Sequence, residues 1–139
     1  MEFGVESGSQ IVLDKLDKSI KLDDVCRMAK YASSIGLSVI CTFIVGHYCD
    51  TPETMQQTVT LIRKMTESYQ IKPLFSFNTL FPGTYQAQHS QQLGLNLQQN
   101  KLELIDPNVP NIEGQHFTAE DLRQFYFDVA DWVDQAFPI

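Results

Sequence analysis

The residues of this chain that could do chemistry gather in three short segments, each directly after an apolar run. They are GVESGS (Gly4–Ser9), GHYCDT (Gly46–Thr51) and FPGT (Phe81–Thr84). Together they contain carboxylates, hydroxyls, a Cys/His pair and glycines, which suit hydrogen bonding to a ligand and close approach of the main chain. Taken singly, each segment is better explained as a turn with exposed polar side chains than as a ligand site.

The cysteines do not indicate a metal centre. His47 and Cys49 lie two residues apart, a spacing that suits a nucleophile or a metal site, but no third ligand is near them in sequence. Cys26, Cys41 and Cys49 fit neither a disulfide framework nor a zinc or iron–sulfur pattern. We therefore predict three reduced thiols and a cytoplasmic protein.

Three strands are predicted, at about residues 2–6, 38–45 and 74–81. The second is an almost continuous β-branched and apolar run, which predicts a strand covered on both faces. In the third strand, successive residues alternate between two faces, and one face carries Ser76 and Asn78. These polar residues predict that this face borders a more polar environment than a hydrophobic core.

Helical signals lie between and after these strands. Apolar residues recur at helical spacing from Leu22 to Ala32, and Gly36 follows as a left-handed stop. Helix starts are predicted at Thr51-Pro52-Glu53 and at Thr118, with Asp121 completing a capping box. The alternation of strands and helices predicts right-handed βαβ units and a parallel sheet. Since ligands bind at the carboxyl ends of such strands, the three polar segments are expected to meet there.

Composition excludes several classes of protein. The chain has 139 residues, 43% of them hydrophobic, which supplies a core for one folded domain and excludes disorder. A net charge of −7 argues against nucleic-acid binding, which needs clustered cations. No apolar run reaches the roughly 18 residues of a membrane span, and no secretory signal is visible at the start. The abrupt entry into a strand after Met1 suggests a piece excised from a longer protein.

The stretch from Val5 to Val59, together with FNTLFPGT, resembles the later barrel strands of radical S-adenosylmethionine enzymes, closest to the methylthiotransferase-like and cobalamin-associated subgroup. The resemblance covers roughly residues 2–95. It implies an α/β fold with a partial TIM-type barrel of three parallel βα units over residues 1–95. An irregular linker and a C-terminal helix would follow over residues 96–139.

The resemblance also implies roles for individual residues. Glu6 and Ser7 would hydrogen-bond the ribose or the methionine end of S-adenosylmethionine. The adenine would lie against two strand ends, formed by Ile44, Val45 and Gly46 and by Leu80 and Phe81. The usual P-G-E before Thr51 is replaced here by Tyr48-Cys49-Asp50.

The C-x-x-x-C-x-x-C motif that holds the 4Fe-4S cluster in this family is absent. The resemblance therefore implies a C-terminal fragment of an iron–sulfur oxidoreductase that is inactive alone, with S-adenosylmethionine, the cluster and possibly cobalamin belonging to the parent protein. The missing N-terminal barrel half would be its partner, and exposed sheet edges would drive self-association. The alternative is a non-catalytic binding or assembly module derived from the same scaffold. The sequence does not reveal a substrate.

Overall fold

A three-stranded parallel sheet with helices packed on one face forms the body of the protein. The computed structural model describes residues 1–97 and 106–136. In chain order the elements are β1 (Glu2–Glu6), α1 (Gln10–Lys15), α2 (Leu22–Ser34), β2 (Ile40–Val45), α3 (Pro52–Tyr69), β3 (Lys72–Phe77), α4 (Tyr85–Gln88), β4 (Asn96–Leu97), β5 (Ile112–Glu113) and α5 (Ala119–Ala136). The main sheet has the order β1-β2-β3 with both pairs parallel, and β4 and β5 form a small antiparallel pair. The predicted α/β class is confirmed, but the described residues form no closed barrel.

The helix boundaries follow from local capping, as predicted. Gly36 ends α2 with φ +70°. At the start of α3 the Thr51 hydroxyl accepts from the Thr54 amide at 3.3 Å, and the Thr51 amide donates to the Thr54 hydroxyl at 2.9 Å. Thr118 and Asp121 make the same reciprocal pair before α5, at 2.7 and 3.2 Å. The short helix α1, which was not predicted, buries Val12 and Leu13 completely.

The core lies between the sheet and helices α2, α3 and α5. Alternate residues of β2 point into it, and Cys41, Phe43 and Val45 are each at most 2% exposed. On β3 the Phe75 ring meets Phe125 of α5 edge-on, with the ring centroids 5.6 Å apart. Sheet and helices therefore form two layers around one core.

The opposite side of the sheet, here called the open face, consists of Gly4, Ile40, Thr42, Ile44, Leu74 and Ser76. Ile40, Thr42 and Ile44 are only half-buried, and Leu74 is 45% exposed. The expectation that the second strand is covered on both faces is therefore wrong for the described part of the chain. The reason is that all the helices packed against the sheet come from one side.

Strand β3 is displaced from its predicted position at 74–81. It starts two residues earlier, with Pro73 tolerated because an edge strand has an unpaired side. It ends at Phe77, since its partner β2 ends at Val45 and Gly46 then turns away with φ +91°. The main-chain amide of Asn78 still donates to the Val45 carbonyl at 2.7 Å, which extends the pairing of the two strands by one residue.

The division at residue 95 stays a prediction. Within 106–117 the structure shows turns and β5, and α5 closes the described chain. Residues 98–105 and 137–139, which fall in the predicted linker and C-terminal segment, lie outside the described residues. Across 1–97 and 106–136, no helix combines the length and apolarity needed to cross a membrane.

Candidate functional site

The first loop turns sharply where β1 ends. The pairing of β1 with β2 shifts register between Gly4 and Glu6, and Glu6 has φ +72°, a left-handed conformation that costs a non-glycine residue roughly 1–2 kcal/mol. The Glu6 carboxylate folds back over Gly4, where an added Cβ would lie 3.0 Å from Oε1. Lys18 Nζ donates to the same Oε1 at 2.9 Å. The bulge and the glycine together hold this carboxylate beside the open face.

The next residues pin the loop to helix α3. Thr58 Oγ1 accepts a hydrogen bond from the Gly8 amide at 2.9 Å and lies 3.4 Å from the Ser7 hydroxyl. Ser7 is 1% exposed, and its hydroxyl also accepts from the Ser9 amide. A Cβ at Gly8 would lie 2.5 Å from the Thr58 Cα, so only glycine permits this contact.

The second loop is organised by a buried carboxylate. Asp50 Oδ2 accepts from the amides of Gly46 and His47 at 3.0 and 2.9 Å, and Oδ1 accepts from the Thr54 hydroxyl at 2.8 Å. Asp50 is 2% exposed, so these bonds replace water for a charged group. On the far side, a Cβ added at Gly46 would lie 3.2 Å from the Leu122 side chain and 3.6 Å from that of Ile112.

His47 is held in this loop with its ring away from solvent. It is 5% exposed, and neither ring nitrogen has a hydrogen-bond partner among the described residues. Burial lowers its pKa, although the neighbouring carboxylates of Asp50 and Glu6 and the Ile44 backbone favour the charged form. The imidazole is therefore neutral at neutral pH and has one nitrogen free to accept a hydrogen bond.

The third loop packs against the second. Asn78 Nδ2 donates to the Gly46 carbonyl at 3.1 Å and to Gln86 Oε1 at 2.7 Å. Leu80 is buried, whereas the Phe81 ring is 48% exposed. The residues that follow β1, β2 and β3 thus lie at the same edge of the sheet, as the βαβ pattern predicted.

The site residues implied by the resemblance differ in their accessibility to a ligand. Glu6 and Ile44 reach the open face, and Phe81 is accessible at the rim. Ser7, Val45 and Leu80 are buried, and the amide and carbonyl of Gly46 are both engaged by neighbouring side chains. Their roles in binding stay predictions.

Sequence reasoning missed residues that only the fold brings to this end. They are Lys18, Thr58 and, as the centre of its loop, Asp50. Asp50 could have been found from the sequence. An acid four residues after a strand-ending glycine, and just before Thr-Pro, is well placed to accept hydrogen bonds from the amides at the start of its loop. Lys18 and Thr58 carry no local signal.

The cysteines give no sign of an activated thiol. Burial raises the pKa of Cys49 to about 11, and the adjacent Asp50 carboxylate adds to this shift. Burial raises the pKa of Cys41 to about 11 as well. Within the described ranges, no group of three or more His, Cys, Asp or Glu residues could hold a metal ion.

Comparison with known proteins gives one informative relative. The chain is 29% identical over 124 residues to an uncharacterized methyltransferase of Pyrococcus horikoshii, a match that covers 88% of this chain and 26% of that protein. The chain thus spans about a quarter of the length of this relative. No family model matches the sequence.

This comparison corrects the prediction made from the resemblance. The relative is named a methyltransferase, so the expectation of a radical S-adenosylmethionine oxidoreductase fragment, or of a module derived from that scaffold, is wrong. A 4Fe-4S cluster and cobalamin gain no support from it. The glycines that suggested that family have a backbone role here, since Gly46 and Gly83 adopt φ +91° and +87° in turns that any strand-to-helix loop can use.

Proposed function

We propose that this chain is part of a methyltransferase and binds S-adenosylmethionine at the carboxyl end of its parallel sheet. The observation that carries the proposal is the match to the Pyrococcus horikoshii methyltransferase, which extends over 88% of the chain. The geometry agrees with a ligand site, because polar groups from two loops and an exposed aromatic ring from a third converge where α/β proteins bind ligands.

Within this site we assign the ligand contacts to the residues that are free to make them. Glu6 offers a carboxylate to the ribose hydroxyls or to the methionine end. Ile44 and Phe81 offer apolar surface to the adenine. Ser7, Val45, Gly46 and Leu80 support the loops from beneath, since their polar atoms are engaged or their side chains are buried.

The test is equilibrium binding of S-adenosylmethionine to the 139-residue chain by titration calorimetry. We expect saturable binding that Glu6→Gln weakens about tenfold, the effect of losing one charge-assisted hydrogen bond. Glu2→Gln is the matched control, because Glu2 is an exposed glutamate at the other end of the same strand. Absence of saturable binding to the folded chain would refute the proposal.

The open face favours a larger architecture. Parallel sheets occur almost only with both faces covered, yet this face is partly exposed. We infer that residues 1–95 are three βα units of a larger parallel sheet such as a TIM-type barrel, although the order β1-β2-β3 suits half of a doubly wound sheet equally well. The covering elements would come from the remainder of a longer polypeptide.

In the isolated chain, the outer edges of the edge strands β1 and β3 favour self-association. Light scattering over a wide concentration range tests this, and a strictly monomeric mass would contradict it. The free thiols agree with a cytoplasmic location, and the net charge of −7 with a partner other than nucleic acid.

A further inference from the structure

Asn78 is a buried side chain that joins two of the loops at the carboxyl end of the sheet. It is the first residue after β3 and is 8% exposed. Its Nδ2 donates to the Gly46 carbonyl at 3.1 Å and to Gln86 Oε1 at 2.7 Å. Because a carbonyl can only accept, the Gly46 oxygen fixes the side-chain nitrogen of Asn78 on this side, and both N–H groups of that nitrogen are used. The side chain therefore connects the second loop to helix α4.

The residue to which Asn78 is bonded is itself held from the other side. The Gly46 amide donates to Asp50 Oδ2 at 3.0 Å. The other oxygen of Asp50 accepts from the hydroxyl of Thr54, in the first turn of α3, at 2.8 Å. The acceptor that Asn78 uses is therefore tied through a buried carboxylate to an 18-residue helix. A hydrogen bond to such a fixed group holds the donor in one position.

The bond from Asn78 to Gln86 closes a loop that carries the Phe81 ring. The two residues are eight positions apart, and between them the Thr84 amide and hydroxyl donate to the Phe81 carbonyl at 3.1 and 2.8 Å. The tip of this loop has little packing of its own. A Cβ added at Gly83 would meet no described atom within 4 Å, and Phe81 is 48% exposed. The position of the Phe81 ring therefore depends on the closure of the loop at Asn78.

The geometry points to Asn78 as a positioning residue, which holds Phe81 in place for stacking on the ligand. This inference rests on the proposed function, in which Phe81 offers its ring to S-adenosylmethionine. If the loop were not closed beforehand, binding would have to order it, and this cost would lower the affinity. With Asn78 bonded to Gln86 the loop is closed before the ligand arrives. Loss of this bond should weaken binding although neither side chain contacts the ligand.

The test is a double-mutant cycle on the affinity for S-adenosylmethionine, measured by titration calorimetry on the 139-residue chain. Gln86→Leu removes the acceptor at a half-buried position and should weaken binding about fivefold, while Phe81→Ala should weaken it about tenfold. In the Phe81→Ala background, Gln86→Leu should have no further effect, because no ring is left to position. Gln86→Glu keeps an oxygen for Asn78 and should bind like the wild type. The control is Gln92→Leu, at an exposed position, which should leave the affinity unchanged.

A second measurement needs no ligand. The Thr84 amide, which is bonded inside the loop, should exchange with deuterium about tenfold faster in Gln86→Leu, whereas the Leu37 amide, in the turn after α2, should not change. An unchanged Thr84 rate would overturn the positioning role while the proposed site stands. The same holds if Gln86→Leu does not weaken binding, or weakens it equally with and without the Phe81 ring. If S-adenosylmethionine does not bind the wild-type chain, the proposed function is refuted, and the role of Asn78 toward that ligand is refuted with it.

Discussion

Asp50 is the residue whose removal should most disturb the second loop. It is 2% exposed and accepts hydrogen bonds from the amides of Gly46 and His47 and from the Thr54 hydroxyl. In Asp50→Ala the Thr54 hydroxyl can still donate to the Thr51 carbonyl, at 3.0 Å. The two amides lose their acceptor.

The magnitude follows from those two amides. An orphaned buried N–H costs about 1–3 kcal/mol, so the pair costs about 2–6 kcal/mol. Removing a buried carboxylate also removes its desolvation penalty, which places the expected loss in the lower half of that range, at about 3 kcal/mol. Asp50→Asn keeps an oxygen for the two amides and should lose only about 1 kcal/mol.

The assay is urea unfolding followed by circular dichroism, with the free energy of unfolding extrapolated to zero denaturant. Asp23→Ala serves as the control, because this exposed aspartate in the first turn of α2 should change stability by only about 0.5 kcal/mol. The reasoning is refuted if Asp50→Ala destabilises the chain no more than Asp23→Ala does, or if Asp50→Asn is as damaging as Asp50→Ala.

Three more outcomes are expected. Gly8→Ala places a Cβ 2.5 Å from the Thr58 Cα and should lower the free energy of unfolding by at least about 2 kcal/mol in the same assay; a neutral effect would show that the loop is not pinned to α3. Because burial lowers the pKa of His47, the unfolded chain binds a proton there more readily, so stability should fall as pH drops from about 7.5 to 5.5. His47→Gln should flatten that slope, and an unchanged slope would contradict the assignment. With a disulfide reagent at about pH 8, the half-buried Cys26 should react before Cys49, whose pKa is about 11, and Cys26→Ser should remove the fast phase.

Much of the fold was predictable because its signals are local. The start of α3 at Thr51-Pro52, the capping pair before α5 and the glycine stop after α2 each depend on a few neighbouring residues. The position of β3 was less predictable, since its end depends on where its partner β2 stops.

The candidate site was predictable in position and not in detail. Parallel strands bring their carboxyl ends together, so the three polar segments had to be neighbours. Which side chains remain available there depends on contacts between distant residues. The Ser7 hydroxyl lies within hydrogen-bond distance of Thr58, fifty-one positions away, and the Glu6 carboxylate is paired with Lys18.

The sequence by itself determined the α/β class, the helix starts and the edge of the sheet at which the polar segments lie, because apolar periodicity and capping act over a few residues. It could not decide the family, since strand-end glycines serve the same turns in unrelated proteins. Only the tertiary structure showed that Glu6 is turned onto the open face by a bulge, and that the His47 ring is buried with no hydrogen-bond partner among the described residues. Both depend on how two strands and their loops pack, which no short segment encodes.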